Sequence, residues 1–315
     1  MRYVVTGSAG FVGHHVATAL LEDGHAVDGV DAFTDYYDPA TKRAKAAQLA
    51  CAPRYRNVEA DLALADIDDV LAGADAVIHL AAQPGVGSSW AGGFPTYVER
   101  NVVASQRLFE AARRTGVPRL VLASSSSVYG DAVVHPTVED APTRPFSPYG
   151  VTKLAMEQLA TAYADNWGLP VVILRYFTVY GPGQRPDMAL HRFIAAVAAG
   201  EPVSLHGDGE QVRDFTYVAD AVAATIAAAA ADVPPATVLN VAGGSSSTVN
   251  DLLGLVSEHV GRPVLTHHVA ARPGDVRITA GAIERAHRVL GWRPEMSLDE
   301  GVKRQVAHQL VHGPA

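Results

Sequence analysis

The chain has 315 residues, 48% of them hydrophobic, with a formal net charge of -8 and one cysteine, Cys51. That length is enough for one large core or two interleaved ones, and the acidic balance leaves no basic footprint for nucleic acid. A single cysteine excludes an intrachain disulfide and a thiolate metal cluster, as expected in a reducing compartment.

The N-terminal MRYVVTG reads as a strand at 2–6 rather than a secretory leader. It runs into VTGSAGFVG, where Gly7, Gly10 and Gly13 separate that strand from a helical pattern at 11–22. Glycines placed so allow a tight turn and close backbone approach to a pyrophosphate on the helix N-terminus. A second strand at 26–31 ends in Asp31. An acidic residue there suits the adenosine ribose hydroxyls and repels a 2′-phosphate, so NAD is expected over NADP. Strands are predicted at 55–60, 76–81, 119–124 and 170–175, with helical segments between them such as 99–115. Near-continuous apolar strands alternating with helices predict an α/β fold with a parallel sheet covered on both faces.

After Arg175 the rhythm breaks, and segments near 186–212 and 262–312, rich in Pro and Gly, look like a smaller lobe. VLNVAGG at 238–244 reads as one more sheet strand, so the chain crosses between lobes more than once. The expected division is 1–180 plus about 213–247 for the larger domain, and about 181–212 plus 248–315 for the lobe. The apolar run at 221–231 is too short and alanine-rich to span a bilayer. The histidine pairs His14-His15 and His267-His268 lack ligand spacing, so no metal is expected.

Two stretches carry chemistry beyond the glycine turn. SPYGVTK puts Tyr149 and Lys153 four residues apart on one face of a helix starting near Pro148. LVLASSSSVYG sets Ser124, Ser125, Ser126 and Ser127 between an apolar strand and Val-Tyr-Gly. With the glycine turn, these resemble the extended short-chain dehydrogenase/reductase family of nucleotide-sugar epimerases and dehydratases. The resemblance continues through DLA at 61–63, HLAAQ at 79–83, Asn101, LRYFTVYGP at 174–182, RDFTYVAD at 213–220 and RPGD at 272–275.

The resemblance implies a doubly wound parallel Rossmann sheet with a smaller, interleaved C-terminal lobe that binds a nucleotide sugar. By position it implies that Gly7, Gly10, Phe11, Val12, Gly13, Asp31, Lys42, Asp61, Leu62, Leu80, Ala81, Ala82, Asn101, Tyr149, Lys153 and Tyr176 hold NAD. Tyr149 is the implied base for the sugar C4 hydroxyl, Ser125 bonds the same hydroxyl, and Lys153 tunes the tyrosine. A phenol with a pKa near ~10 is a poor base at neutral pH, and a nearby cation favours its phenolate.

In the family, the positions three and two before the Val-Tyr-Gly tyrosine are Asp-Glu in 4,6-dehydratases, and decarboxylases usually carry Glu at the second. Here they are Ser126 and Ser127, which argues for oxidation and re-reduction without elimination. DAFTDYYDPATKRAK and FTVYGPGQRPDMALHRF are similar to UDP-glucuronate 4-epimerases. Ser126, Ser127 and Thr178 are then expected at the carboxylate, with Arg185 as its charged partner or else as a structural or diphosphate contact, and Arg213 and Arg272 at the UDP phosphates. One departure is AQPGVGSSW, where Gly87 stands in place of the usual arginine and points toward neutral sugars as the alternative. The resemblance further implies a homodimer through helices at about 96–115 and 149–167, working in the cytoplasm.

Overall fold

The structure, a computed structural model, describes residues 1–271 and 273–313. Twelve strands follow one another along these residues: β1 (Arg2–Thr6), β2 (Ala26–Asp31), β3 (Tyr55–Glu59), β4 (Ala76–His79), β5 (Leu120–Ser125), β6 (Val171–Tyr176), β7 (Thr178–Tyr180), β8 (Val203–His206), β9 (Val212–Tyr217), β10 (Thr237–Val241), β11 (Ser246–Thr248) and β12 (Thr266–Val269). Seven of them form one sheet in the order β10-β6-β5-β4-β1-β2-β3. Every pairing in it is parallel. After β3 the chain returns to the other side of β1, so the strand order reverses between β1 and β4. In open α/β sheets a ligand crevice opens outside the strand carboxyl ends at such a point.

The central strands are buried on both faces, which is why they read as unbroken apolar runs. One core, with Val5, Leu20, Ile78 and Leu174, lies against helices Phe11–Glu22 and Val218–Ala230. The opposite core gathers Val4, Leu108, Phe109, Met156 and Ile173 under helices Ala104–Thr115 and Pro148–Trp167. The expected helix at 99–115 is regular α-helix only from Ala104, because Val98–Val103 is wound as a π-type turn.

Two smaller sheets, β11-β9-β7 and β12-β8, make up the second lobe together with helices Ala189–Ala199, Val249–Val260 and Leu298–His312. The seams differ from those expected. The expected larger domain takes in Thr178–Tyr180 and all of β9 beyond Val212, yet these two strands pair with each other in the smaller sheet. The cause is long-range pairing, which local pattern does not encode: β9 also takes β11 antiparallel as a neighbour. The strand in VLNVAGG joins the large sheet beside β6, so the chain does cross between the lobes repeatedly. No helix among the described residues is long and apolar enough to cross a membrane.

Candidate active site

A cleft of about 480 Å³ runs along the carboxyl ends of the large sheet. Its floor is the glycine turn. Gly7 has a φ of 71°, and a Cβ there would come within 2.8 Å of the Ala81 nitrogen, just past β4. The turn therefore closes onto the β1/β4 reversal only because no side chain intervenes. A Cβ on Gly13 would come within 2.0 Å of the Gly7 carbonyl oxygen. Helix Phe11–Glu22 begins at Gly10 without a side-chain cap, which leaves its first N–H groups facing the cleft. Asp31 sits at the cleft edge, accepting from the Ala9 N–H at 3.1 Å and the Phe33 N–H at 2.8 Å. Beside it the Tyr37 hydroxyl is buried without a hydrogen-bond partner. A floor of bare backbone, an uncapped helix start, an acid at the second strand and an unpaired phenol suit a dinucleotide.

Sixteen residues were expected at the cofactor, and fifteen of them line this cleft, among them Phe11, Val12, Asp61, Leu62, Leu80, Ala82 and Tyr176. Lys42 is fixed there by hydrogen bonds to the Thr34 carbonyl at 2.7 Å and hydroxyl at 2.9 Å. Asn101 is the exception. Its side chain is fully buried behind the wall, accepting from the Gln83 N–H at 2.7 Å and donating to the Gln83 carbonyl and the Thr152 hydroxyl. It shapes the cleft through Gln83 rather than facing it.

The four serines divide between two tasks. Successive strand side chains point to opposite faces, so Ser124 and Ser125 part company at the end of β5. Ser124 donates to Glu157, which is held by Arg175 at 2.7 Å. Arg175 in turn reaches the Tyr129 hydroxyl at 2.9 Å, and Tyr129 donates to Asn240 at 2.7 Å. This buried network ties the serine turn to β6, β10 and helix Pro148–Trp167. All four serines border the cleft, and Ser125, Ser126 and Ser127 stay outside that network, with Ser125 accepting from the Ser127 N–H at 3.1 Å. Glu157 escaped the sequence reading, although it continues the helical stripe of Tyr149 and Lys153 by one more step of four.

Helix Pro148–Trp167 is started by Ser147, whose hydroxyl accepts from the Gly150 N–H at 3.1 Å, with Pro148 at the first position. Gly150 lets this helix touch the serine turn: a Cβ there would come within 2.5 Å of the Ser127 carbonyl oxygen. Tyr149 is thereby set into the cleft, with the Tyr97 ring edge-on at 6.1 Å. Burial pushes the Tyr149 phenol up, while the Ser125 hydroxyl and then the Arg185 guanidinium pull it down. Lys153 was expected to do the pulling. Its Nζ stands 6.0 Å from the ring centroid and donates to the Ala123 carbonyl at 2.8 Å, and burial lowers its own pKa to about 8.

Thr178 and Arg185 complete the wall. Arg185 makes a two-pronged ion pair with Asp187 at 2.9 and 3.0 Å, and Tyr36 donates to the same carboxylate at 3.2 Å. A second cavity of about 780 Å³ adjoins the first, sharing Tyr36, Gly85, Val86, Thr178 and Asp187 with it. Arg213 lines this second cavity and is paired with Asp275, and Gly87 borders it too. Arg272 lies outside the described residues. Sequence reasoning missed Tyr36, Gln83, Arg100 and Asp187, which also line the first cleft. Tyr36, Gln83 and Asp187 had a local signal, since each lies within a stretch already singled out.

The UDP-glucuronic acid 4-epimerase of Bacillus cereus, solved with UDP-glucuronic acid and NAD, is 36% identical over 99% of this chain and all of its own, with a TM-score of 0.96. MoeE5, solved with UDP-glucuronic acid and NAD, is 42% identical over 99% of this chain and 100% of its own, with a TM-score of 0.90; it is also solved with UDP-glucose and NAD. YtcB of Bacillus subtilis, described as an uncharacterized UDP-glucose epimerase, is 38% identical over 98% of both chains. The NAD dependent epimerase/dehydratase family matches residues 3–242, and the chain belongs to that family.

Proposed function

We propose that this chain is a UDP-glucuronate 4-epimerase, interconverting UDP-glucuronate and UDP-galacturonate through a 4-keto sugar. The observation that carries the reading is the serine turn: beside Tyr149 it presents the hydroxyls of Ser125, Ser126 and Ser127 and no carboxylate. Elimination of water needs an acid and a base on that turn, and none of the three serines supplies them at neutral pH.

Gly7, Gly10 and Gly13 hold the pyrophosphate of NAD, and Asp31 its adenosine ribose. Bound NAD supplies the hydride acceptor for C4 and, once the keto sugar has turned over, the donor to its other face. Tyr149 takes the C4 hydroxyl proton and later returns it, and Ser125 hydrogen-bonds that oxygen. Lys153, beside the tyrosine and held by the Ala123 carbonyl, binds the nicotinamide ribose. Oxidation at C4 makes a β-keto acid, which loses CO2 when the carboxylate swings perpendicular to the ketone. Ser126, Ser127 and Thr178 hold the carboxylate against that swing. The UDP lies in the second cavity with Arg213, and Arg272 is proposed beside it by resemblance. We take the working form to be a cytoplasmic homodimer. Its single cysteine suits a reducing compartment, and Val103 and Val151 stand exposed on the two helical segments expected to pair.

A broader 4-epimerase, accepting UDP-glucose and UDP-galactose as well, is favoured by two features: Gly87 in place of an arginine, and Arg185 already neutralised by Asp187. The test is incubation of purified protein with UDP-glucuronate, without added NAD, followed by proton NMR. UDP-galacturonate alone is expected, and Tyr149→Phe should abolish turnover while NAD stays bound. A UDP-pentose with CO2 would overturn the reading in favour of a decarboxylase. Turnover of UDP-glucose only would leave the neutral-sugar enzyme.

A further inference from the structure

We propose that Asp187 sets the sugar selectivity of this site by cancelling the charge of Arg185. The inference rests on the epimerase reading above. Arg185 lines the cleft that also holds Tyr149, Ser126, Ser127 and Thr178, and its guanidinium is near enough to Tyr149 to pull down the phenol's pKa. Its Nε and Nη2, the two donors that would form a fork onto a carboxylate, are both spent on Asp187, at 2.9 and 3.0 Å.

Asp187 lines both cavities, and Tyr36 also donates to it at 3.2 Å. Partial burial opposes its ionisation, but Arg185 and then Tyr36 hold the carboxyl below the ordinary range, so the pair is charged at neutral pH. The other cations of the cleft have partners too: Lys42 on Thr34, Lys153 on Ala123 and Arg100 on Gln83 at 3.0 Å.

At Arg185 a uronate meets a neutral ion pair rather than a bare cation. Its carboxylate competes with Asp187 for the same fork and is repelled by it, whereas a hydroxymethyl group meets neither effect. Selectivity is a difference of affinities, and Asp187 narrows it. Removing the anion leaves a half-buried guanidinium without a counter-ion, which a uronate restores and a neutral sugar cannot.

The experiment compares kcat/KM for UDP-glucuronate and UDP-glucose, on protein with its NAD retained, in the wild type, Asp187→Asn, Arg185→Gln and the double variant. Where UDP-glucose turns over too slowly, its inhibition constant replaces KM. Asp187 is partly exposed, so the asparagine is expected to fold, and retained NAD checks that it has. Asp187→Asn should raise the glucuronate-to-glucose ratio about ten-fold, chiefly through KM, the scale of one charge-assisted hydrogen bond. The rise should vanish when Arg185 is already glutamine. An unchanged ratio, a shift toward UDP-glucose, or an equal rise without Arg185 each overturns the inference while the epimerase reading stands. Failure of the wild type to turn over UDP-glucuronate overturns both.

Discussion

At the scale of single residues, two charges behave differently from their sequence context. His79 ends β4 and precedes the Leu-Ala-Ala of the cleft, which invites a catalytic role. Instead it ties the end of β1 to helix Ala104–Thr115, 2.7 Å from the Thr6 hydroxyl and 3.0 Å from that of Ser105, and burial, followed by the nearby Lys153, drives its pKa down to about 3. It is a neutral hydrogen-bonding wedge. Asp214 adjoins Arg213 on β9 but points into the interior, accepting from the Gly243 N–H at 2.6 Å and the Gly281 N–H at 3.2 Å. Burial raises its pKa from 3.8 to about 6, against those backbone donors. The folded chain therefore binds more protons than the unfolded one between these values, so this residue favours folding as pH falls through about 6 and opposes it above. Urea unfolding of wild type and Asp214→Asn between about pH 7 and pH 4 checks the sign. The wild type should gain on the variant as pH falls, and a constant difference would refute the assignment.

Among the elements, helix Pro148–Trp167 matters most, because one stripe of it carries Tyr149, Lys153 and Glu157. Tyr149 and Lys153 face the cleft, while Glu157 locks the helix to Ser124 and Arg175 in the interior. Its distance from the serine turn is set by Gly150. Gly150→Ala should push the two apart at a cost of about 1–3 kcal/mol, as overpacking does. Because Tyr149 is the adjoining residue, kcat should fall further than stability alone would explain, with KM for the nucleotide sugar little changed. Thermal unfolding and steady-state kinetics on the same preparation separate these effects, and an unaffected kcat would contradict the contact. The strands and most helices of the large sheet were legible in sequence because burial on both faces writes itself as continuous apolar runs. The π-type turn at Val98–Val103 was not, since its residues keep a helical composition.

At the scale of the whole molecule, the lobes are joined across the segment that carries Arg185. His15 Nε2 lies 2.9 Å from the Pro182 carbonyl, and Lys45 donates to that of Gly183 at 2.9 Å, both from the larger domain. From the smaller lobe, Gln305 accepts from the Gly181 N–H and donates to Gln184, each at 2.7 Å. Gln305 is 2% exposed, so Gln305→Leu would leave both partners buried and unpaired, at a cost of about 1–3 kcal/mol each. We expect lower stability together with a raised KM for the nucleotide sugar, because the loop placing Arg185 and Asp187 loses one of its anchors. A variant destabilised with KM unchanged would show that the bridge serves the fold alone.

From the sequence alone came the parallel sheet, the glycine turn with Asp31, the Tyr149–Lys153 pair and the absence of an acid on the serine turn. These are local: each depends on residue type at short spacing, where backbone geometry alone brings the groups together. The tertiary structure decided what depends on distant neighbours. It turned Ser124 inward to Glu157, set Asn101 behind the wall, drew β7 and β9 into the smaller sheet and paired Arg185 with Asp187. Only the folded chain fixes how far a charge lies from its counter-ion and from water, and those two distances determine what each side chain is free to do.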